Sequence, residues 1–121
     1  MKTAFGDMYF DTGWKTNYEL ELFGYSCSVL VKVKAYYEKD GITKEQQAAC
    51  KYFLEHEQKL MAKAEELLDD YGKSDVVTPT MLVIQPDGEI ALLLDDEEDE
   101  DNGMAVVLYP EPECMTQDEY L

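Results

Sequence analysis

Seven carboxylates in succession, Asp95-Asp96-Glu97-Glu98-Asp99-Glu100-Asp101, form the densest chemistry-bearing stretch of the 121 residues. Such hard oxygen ligands suit calcium, and Glu97, Asp99 and Asp101 alternate as a cation loop requires. With Gly103 at the sixth position of a calcium loop, Glu98, Glu100 and Asn102 take the first, third and fifth. Tyr109 then falls at the twelfth, where a bidentate Glu is needed, so the EF-hand pattern fails and no metal is assigned. Like charges repel and belong in water, which makes a solvated loop the simplest alternative. A third reading is an acidic surface that captures a basic protein. It alone also uses the acidic residues elsewhere in the C-terminal part.

The remaining candidates are few. His56, the single histidine, lies between Phe53 and Leu60 on an apolar helical stripe, and Leu60 stands where a second helical metal ligand is usually His. Cys50 sits on a different helix face from His56, which disfavours a nucleophile and base pair. An enzyme would have to assemble its site from scattered residues such as His56, Tyr52 and Glu57. Tyr36, Tyr37, Tyr52 and Tyr71 have aromatic surface for a ligand cleft, although such rings more commonly fill a helix and sheet interface. Without Arg the chain lacks the usual bidentate clamp for carboxylate or phosphate. GxGxxG, GxxxxGK[ST] and GxSxG are all absent, so nucleotide-binding and hydrolase templates have no support. No catalytic residue and no cofactor are assigned, and the expected protein is not an enzyme.

Charge bears on partners. The ten basic residues are all Lys and stand against 27 acids, for a net charge of −17. That balance argues against nucleic acid and against an anionic membrane surface. Residues 74–121 contain no base at all. Cys27, Cys50 and Cys114 are odd in number and form no CxxC pair, so reduced thiols in a cytoplasmic setting are expected. No stretch approaches the ~20 apolar residues of a membrane helix, and residues 1–10 carry no continuous apolar signal segment.

The elements that must position these residues follow from periodicity. Residues 4–10 read as a short strand, and Asp11-Thr12-Gly13 as a turn. Trp14, Tyr18, Leu20 and Leu22 alternate with Lys15, Asn17, Glu19 and Glu21, which suits a sheet buried on one face. After a turn at Gly24-Tyr25, Cys27, Val29, Val31 and Val33 continue the pattern, with Lys32 and Lys34 expected across from Glu19 and Glu21. Thr43 and Gln46 have the spacing of a capping box and open a helix over residues 43–71. Ala49, Phe53, His56, Leu60, Ala64, Leu67 and Tyr71 form its apolar stripe, and Gly72 ends it. Its ~42 Å at ~1.5 Å per residue exceeds a body with a radius of gyration of roughly 14 Å, so it must span the domain, protrude or bend. Residues 81–85, 90–94 and 104–108 supply further strands, the last two joined as a hairpin with the carboxylates at its tip. Pro110 and Pro112 are expected to stop pairing. The sum is one α+β domain over residues 1–121: a largely antiparallel sheet of about five to six strands with one long helix on one face, in the order β-β-β-α-β-β-β.

Residues 5–14 (FGDMYFDTGW), 19–24 (ELELFG), 93–106 (LLDDEEDEDNGMAV) and Gln117-Asp118 resemble a family of small acidic bacterial domains of unknown function. Glu98 stands where an aromatic is common in that pattern, and Asn102 where His is. The resemblance carries no catalytic residue. It implies instead an immunity-type role, in which a small acidic protein neutralises a toxin. The expectation is thus a cytoplasmic protein-binding domain whose Asp95, Asp96, Glu97, Glu98, Asp99, Glu100 and Asp101 engage a basic protein such as a toxin domain. The alternatives are a cation-binding regulatory module and an enzyme with a site near His56.

Overall fold

The computed structural model describes residues 1–120. Its first long hairpin arises from the alternation of the two strands β4 (Trp14–Leu22) and β5 (Tyr25–Val33), in which Trp14, Leu20, Leu22, Val29, Val31 and Val33 are buried. The turn is Phe23-Gly24, one residue earlier than the sequence suggests, and Tyr25 already pairs with Leu22. Both turn residues have positive φ (51° and 81°), as a type I′ hairpin turn requires. Phe23 is an uncommon residue for that backbone. Its N–H donates to Oε2 of Glu65 at 2.9 Å and its ring packs against the core. The register also places Lys32 opposite Lys15 and leaves Ser28 and Ser26 opposite Glu19 and Glu21, so the expected cross-strand ion pairs do not form.

The helical stretch bends. α1 (Lys44–Glu55) and α2 (Glu57–Asp70) are separated by one residue, His56, whose φ of −123° leaves the helical region. Its N–H is shared between the carbonyls of Tyr52 and Phe53, and its own carbonyl accepts from Leu60, so the hydrogen-bond ladder is nearly continuous. No Pro or Gly stands at the break. It coincides with the His56 ring lying on Tyr52, centroids 4.3 Å apart, and with Glu57 accepting the Tyr18 hydroxyl of β4. One long helix is therefore replaced by two, which keep Ala49, Cys50 and Phe53 and then Leu60, Met61, Ala64 and Leu68 in the same core.

The capping box forms as expected: Thr43 Oγ1 accepts from Gln46 N–H, and Gln46 Oε1 accepts from Thr43 N–H, each at 3.0 Å. Gln46 does more than cap. Fully buried, it donates through Nε2 to the carbonyls of Lys34 at 2.8 Å and Ile84 at 3.3 Å, tying α1 to two strands. Ile84 O keeps the Lys34 N–H at 3.0 Å, but Gln46→Ala leaves the Lys34 carbonyl and the Thr43 N–H without these partners, at roughly 1–3 kcal/mol. In urea unfolding the midpoint is expected to fall with the slope unchanged; an unmoved midpoint would remove Gln46 from the framework.

α1 starts beside the end of β5, and α2 ends beside the start of β6 (Val77–Ile84), so the helices carry the chain back to the end where β5 began. β6 must then run parallel to β5, and residues 30–33 pair with 81–84 in that sense. The rest of the main sheet is antiparallel: β7 (Ile90–Asp96) and β8 (Met104–Tyr109) form the second hairpin, and β9 (Glu113–Thr116) extends it. The tail beyond Pro110 and Pro112 thus pairs after all and leads into α3 (Gln117–Tyr120). At the other edge, residues 4–10 are not one strand. Within them, β2 (Gly6–Asp7) pairs back on β1 (Lys2–Thr3), and β3 (Tyr9–Phe10) joins β4. The result is a sheet of seven strands in order β3-β4-β5-β6-β7-β8-β9 plus a two-stranded sheet, more strands than the expected five to six. No helix among the described residues is long and apolar enough to cross a membrane.

Candidate functional site

The acidic hairpin is where periodicity places it, but its seven carboxylates do not form one surface. Asp95 and Asp96 still belong to β7 and, by alternation, point to opposite faces. Asp96 is 2% exposed. Its Oδ2 lies 2.9 Å from Nζ of Lys73, an ionic contact lacking hydrogen-bond alignment, while Oδ1 accepts from Glu98 N–H at 2.9 Å. Lys73 also reaches Oε1 of Glu98 at 3.1 Å. Asp99 accepts from Nδ2 of Asn102 at 3.1 Å and its carbonyl accepts from Gly103 N–H. Only Asp95, Glu97, Glu100 and Asp101 are exposed without such ties. Gly103 is confined by contact as well as by its φ of 66°: a Cβ there would meet Leu94 O and Gln117 Nε2, each at 2.6 Å.

Burial pushes the Asp96 carboxyl up, but the Lys73 ammonium and the Glu98 N–H outweigh it and hold it below the ordinary carboxylate range. Lys73 is correspondingly raised, chiefly by Asp96 and then by Glu98. The pair joins the segment after α2 to the end of β7. Sequence reading missed Lys73 in this role, although it is the last base before a stretch with none.

Topology brings other acids to the same end. The turn after β4, the end of α2, the start of β6, the β7–β8 tip and the start of α3 all lie there, because β5 and β6 start where β7 ends. Asp69, Asp70, Asp75 and Asp118 are exposed beside the tip. Asp69 and Asp70 stand in the last turn of α2, where no base offsets the negative end of the helix dipole. That misplaced pair is the signal the sequence offered. Lys2, Lys15, Lys32, Lys34, Lys39 and Lys44 belong to the opposite end, around the starts of β4 and α1.

Of the scattered enzyme candidates, His56 and Tyr52 meet, with ring centroids 4.3 Å apart, and Glu57 does not join them. His56 is half-buried on Tyr52, whose ring lies 4.5 Å from that of Tyr109. Glu57 turns instead to Tyr18. Burial pushes the thiols of Cys50 and Cys114 up to about 11, so both stay protonated near neutrality and are poor nucleophiles. Tyr36 and Tyr37, expected at an interface, are 91% and 63% exposed. No three His, Cys, Asp or Glu side chains among the described residues converge in a way that could hold a metal ion.

Two phenols contribute to the loss of stability at alkaline pH. Burial, and then the hydrogen bond to Glu57, push Tyr18 up to about 12; burial and Glu89 do the same for Tyr120, against a lowering bond from Gln85. The folded state keeps protons that the unfolded chain loses above its ordinary value of 10.0. The phenols' contribution to stability is therefore fully present below pH ~10 and drains away as pH climbs toward ~12, after that of the Cys50 and Cys114 thiols, which begins to drain above their ordinary value of 9.0. Lys73 adds to the same slope, since its raised folded value is also lost on the alkaline side. Tyr18→Phe should flatten the decline of Tm with pH; an unchanged slope would show that the phenol is no more protonated in the fold than outside it.

No curated protein and no solved structure matches the chain. A family model does, over residues 4–99, so it includes β2 to β7 and five of the seven tip carboxylates and stops short of residues 100–106 and 117–118. By that match the chain belongs to DUF6985, a domain of unknown function.

Proposed function

We propose that this domain acts by binding, with its acidic end engaging a basic protein, and that the role is that of an immunity-type inhibitor rather than an enzyme. The observation that carries the reading is the convergence of Asp69, Asp70, Asp75, Asp95, Glu97, Glu100, Asp101 and Asp118 on one end of the sheet. The lone base there, Lys73, is already paired with Asp96. Carboxylates crowded this way repel one another and oppose a helix dipole, so folding gains nothing from them. A basic partner would turn that self-repulsion into attraction, and the ordered tip would spare it the entropy of arranging the acids.

The test is co-purification with the intact chain from its native cells, followed by titration of each recovered protein against the chain and against a variant with Asp95, Glu97, Glu100 and Asp101 amidated. A basic protein whose affinity falls in the variant supports the reading. Equal affinity for chain and variant, or recovery of acidic and neutral proteins alone, overturns it.

A further inference from the structure

The sheet has an opening at its acidic end. β5 runs from Tyr25, but β6 pairs with it only from Leu30 onward. In the type I′ hairpin Leu22 and Tyr25 face each other as a hydrogen-bonded pair, so Cys27 and Val29 also bond toward β4 while Ser26 and Ser28 turn their N–H and C=O groups the other way. On that side β6 has departed: the register of β6 on β7 shifts between Pro79 and Met81, and such a bulge bends a strand. Among the described residues, Ser26 and Ser28 have no ladder partner there. Between the two strands lies a cleft of about 310 Å³ walled by Leu22, Phe23, Tyr25, Asp75, Val77 and Pro79. Its size is that of a small ligand pocket.

Two features say what fits. Glu21 and Glu19 lie directly across from Ser26 and Ser28, and Asp95 across from Thr78, so exposed carboxylates border both walls on the open face of the sheet. Phe23 is held at positive φ, where Asn or Gly is preferred, and keeps an apolar ring in the cleft wall. We propose that the cleft receives an extended segment of a basic protein as an added strand. Two of its residues in an antiparallel pairing, or three in a parallel one, hydrogen-bond to Ser26 and Ser28, with apolar side chains turned inward and Lys or Arg turned out toward Glu19, Glu21 and Asp95. The proposal deepens the binding role above and rests on it for the sign of the partner's charge.

The probe is a capped octapeptide alternating Val and Lys, titrated into the isotopically labelled full chain, with amide exchange followed residue by residue. Binding is expected to slow exchange at Ser26 and Ser28 at least tenfold. The Val and Glu octapeptide should not bind, and N-methylation of alternate peptide amides should weaken binding tenfold or more. Tyr25→Ser, at a side chain 76% exposed, should weaken it without unfolding the protein. Binding with Ser26 and Ser28 still exchanging freely would move capture to the hairpin tip, overturning the cleft and leaving the acidic end as the binding surface. Equal binding of the Glu peptide overturns the basic occupant and the charge reading together, and absence of binding by any peptide overturns the cleft.

Discussion

Amidation of Asp95, Glu97, Glu100 and Asp101 is expected to slow association with the basic partner by roughly tenfold or more at 0.01 M salt, within the range that electrostatic steering spans. The four are chosen because nothing inside the fold needs their charge. Asp96, Glu98 and Asp99 are left intact, since they hold Lys73 and Asn102. Raising the salt to 0.15 M shortens the Debye length from ~30 Å to ~8 Å, so the two association rates should converge. Dissociation should change less, because long-range charge acts mainly on encounter. Thermal stability should stay level or rise as the tip loses self-repulsion. Stopped-flow traces at both salt concentrations provide the check. Superimposable rates for parent and variant at 0.01 M would reduce the tip to a solvated loop.

The second large effect belongs to the core. Phe53 is fully buried on α1, just before the break, and its ring lies 5.9 Å from Phe5 and 6.2 Å from Tyr18 between centroids. It joins the N-terminal hairpin, β4 and the helices in one contact. Phe53→Ala should cost about 3–5 kcal/mol out of a total near 5–15 kcal/mol. For a chain of this length that corresponds to a fall in Tm on the order of 10–20 °C. Calorimetry is the direct measurement, and a fall under a few degrees would mean that the aromatic cluster is not part of the cooperative core. Phe53→Leu should recover much of the loss, because it restores apolar volume without the ring geometry.

The elements with strict periodicity could be read from the chain. β4 and β5 alternate apolar and polar residues with period two, and the helix stripe from Ala49 to Leu68 repeats every three or four, because burial acts on one face of each element. The capping box at Thr43 and Gln46 and the paired strands of the acidic hairpin depend on residues close in sequence, and they too were legible. The overlong helix announced that something must give, without saying where. The break at His56 has no Pro or Gly to mark it and goes with contacts to Tyr18 and Tyr52, one of them distant in sequence. β9 pairs locally with β8, but Pro110 and Pro112 lie in the three-residue connection between them, where they interrupt no ladder and yet hide the return strand from a reading of composition.

The candidate site divides in the same way. Sequence alone determined that the chain is strongly acidic, that the charge is dense between Asp95 and Asp101, and that no familiar catalytic spacing is present. Only the tertiary structure decided which carboxylates face water. Strand alternation turns Asp96 inward to Lys73, while the parallel crossover brings Asp69, Asp70 and Asp75 to the tip and the antiparallel return of β9 brings Asp118. The opening between β5 and β6 was likewise invisible, since it depends on where two strands 40 or more residues apart begin to pair. Local patterns are set by neighbours a few bonds away, whereas the charge of a surface and the gap in a sheet are set by which distant segments meet.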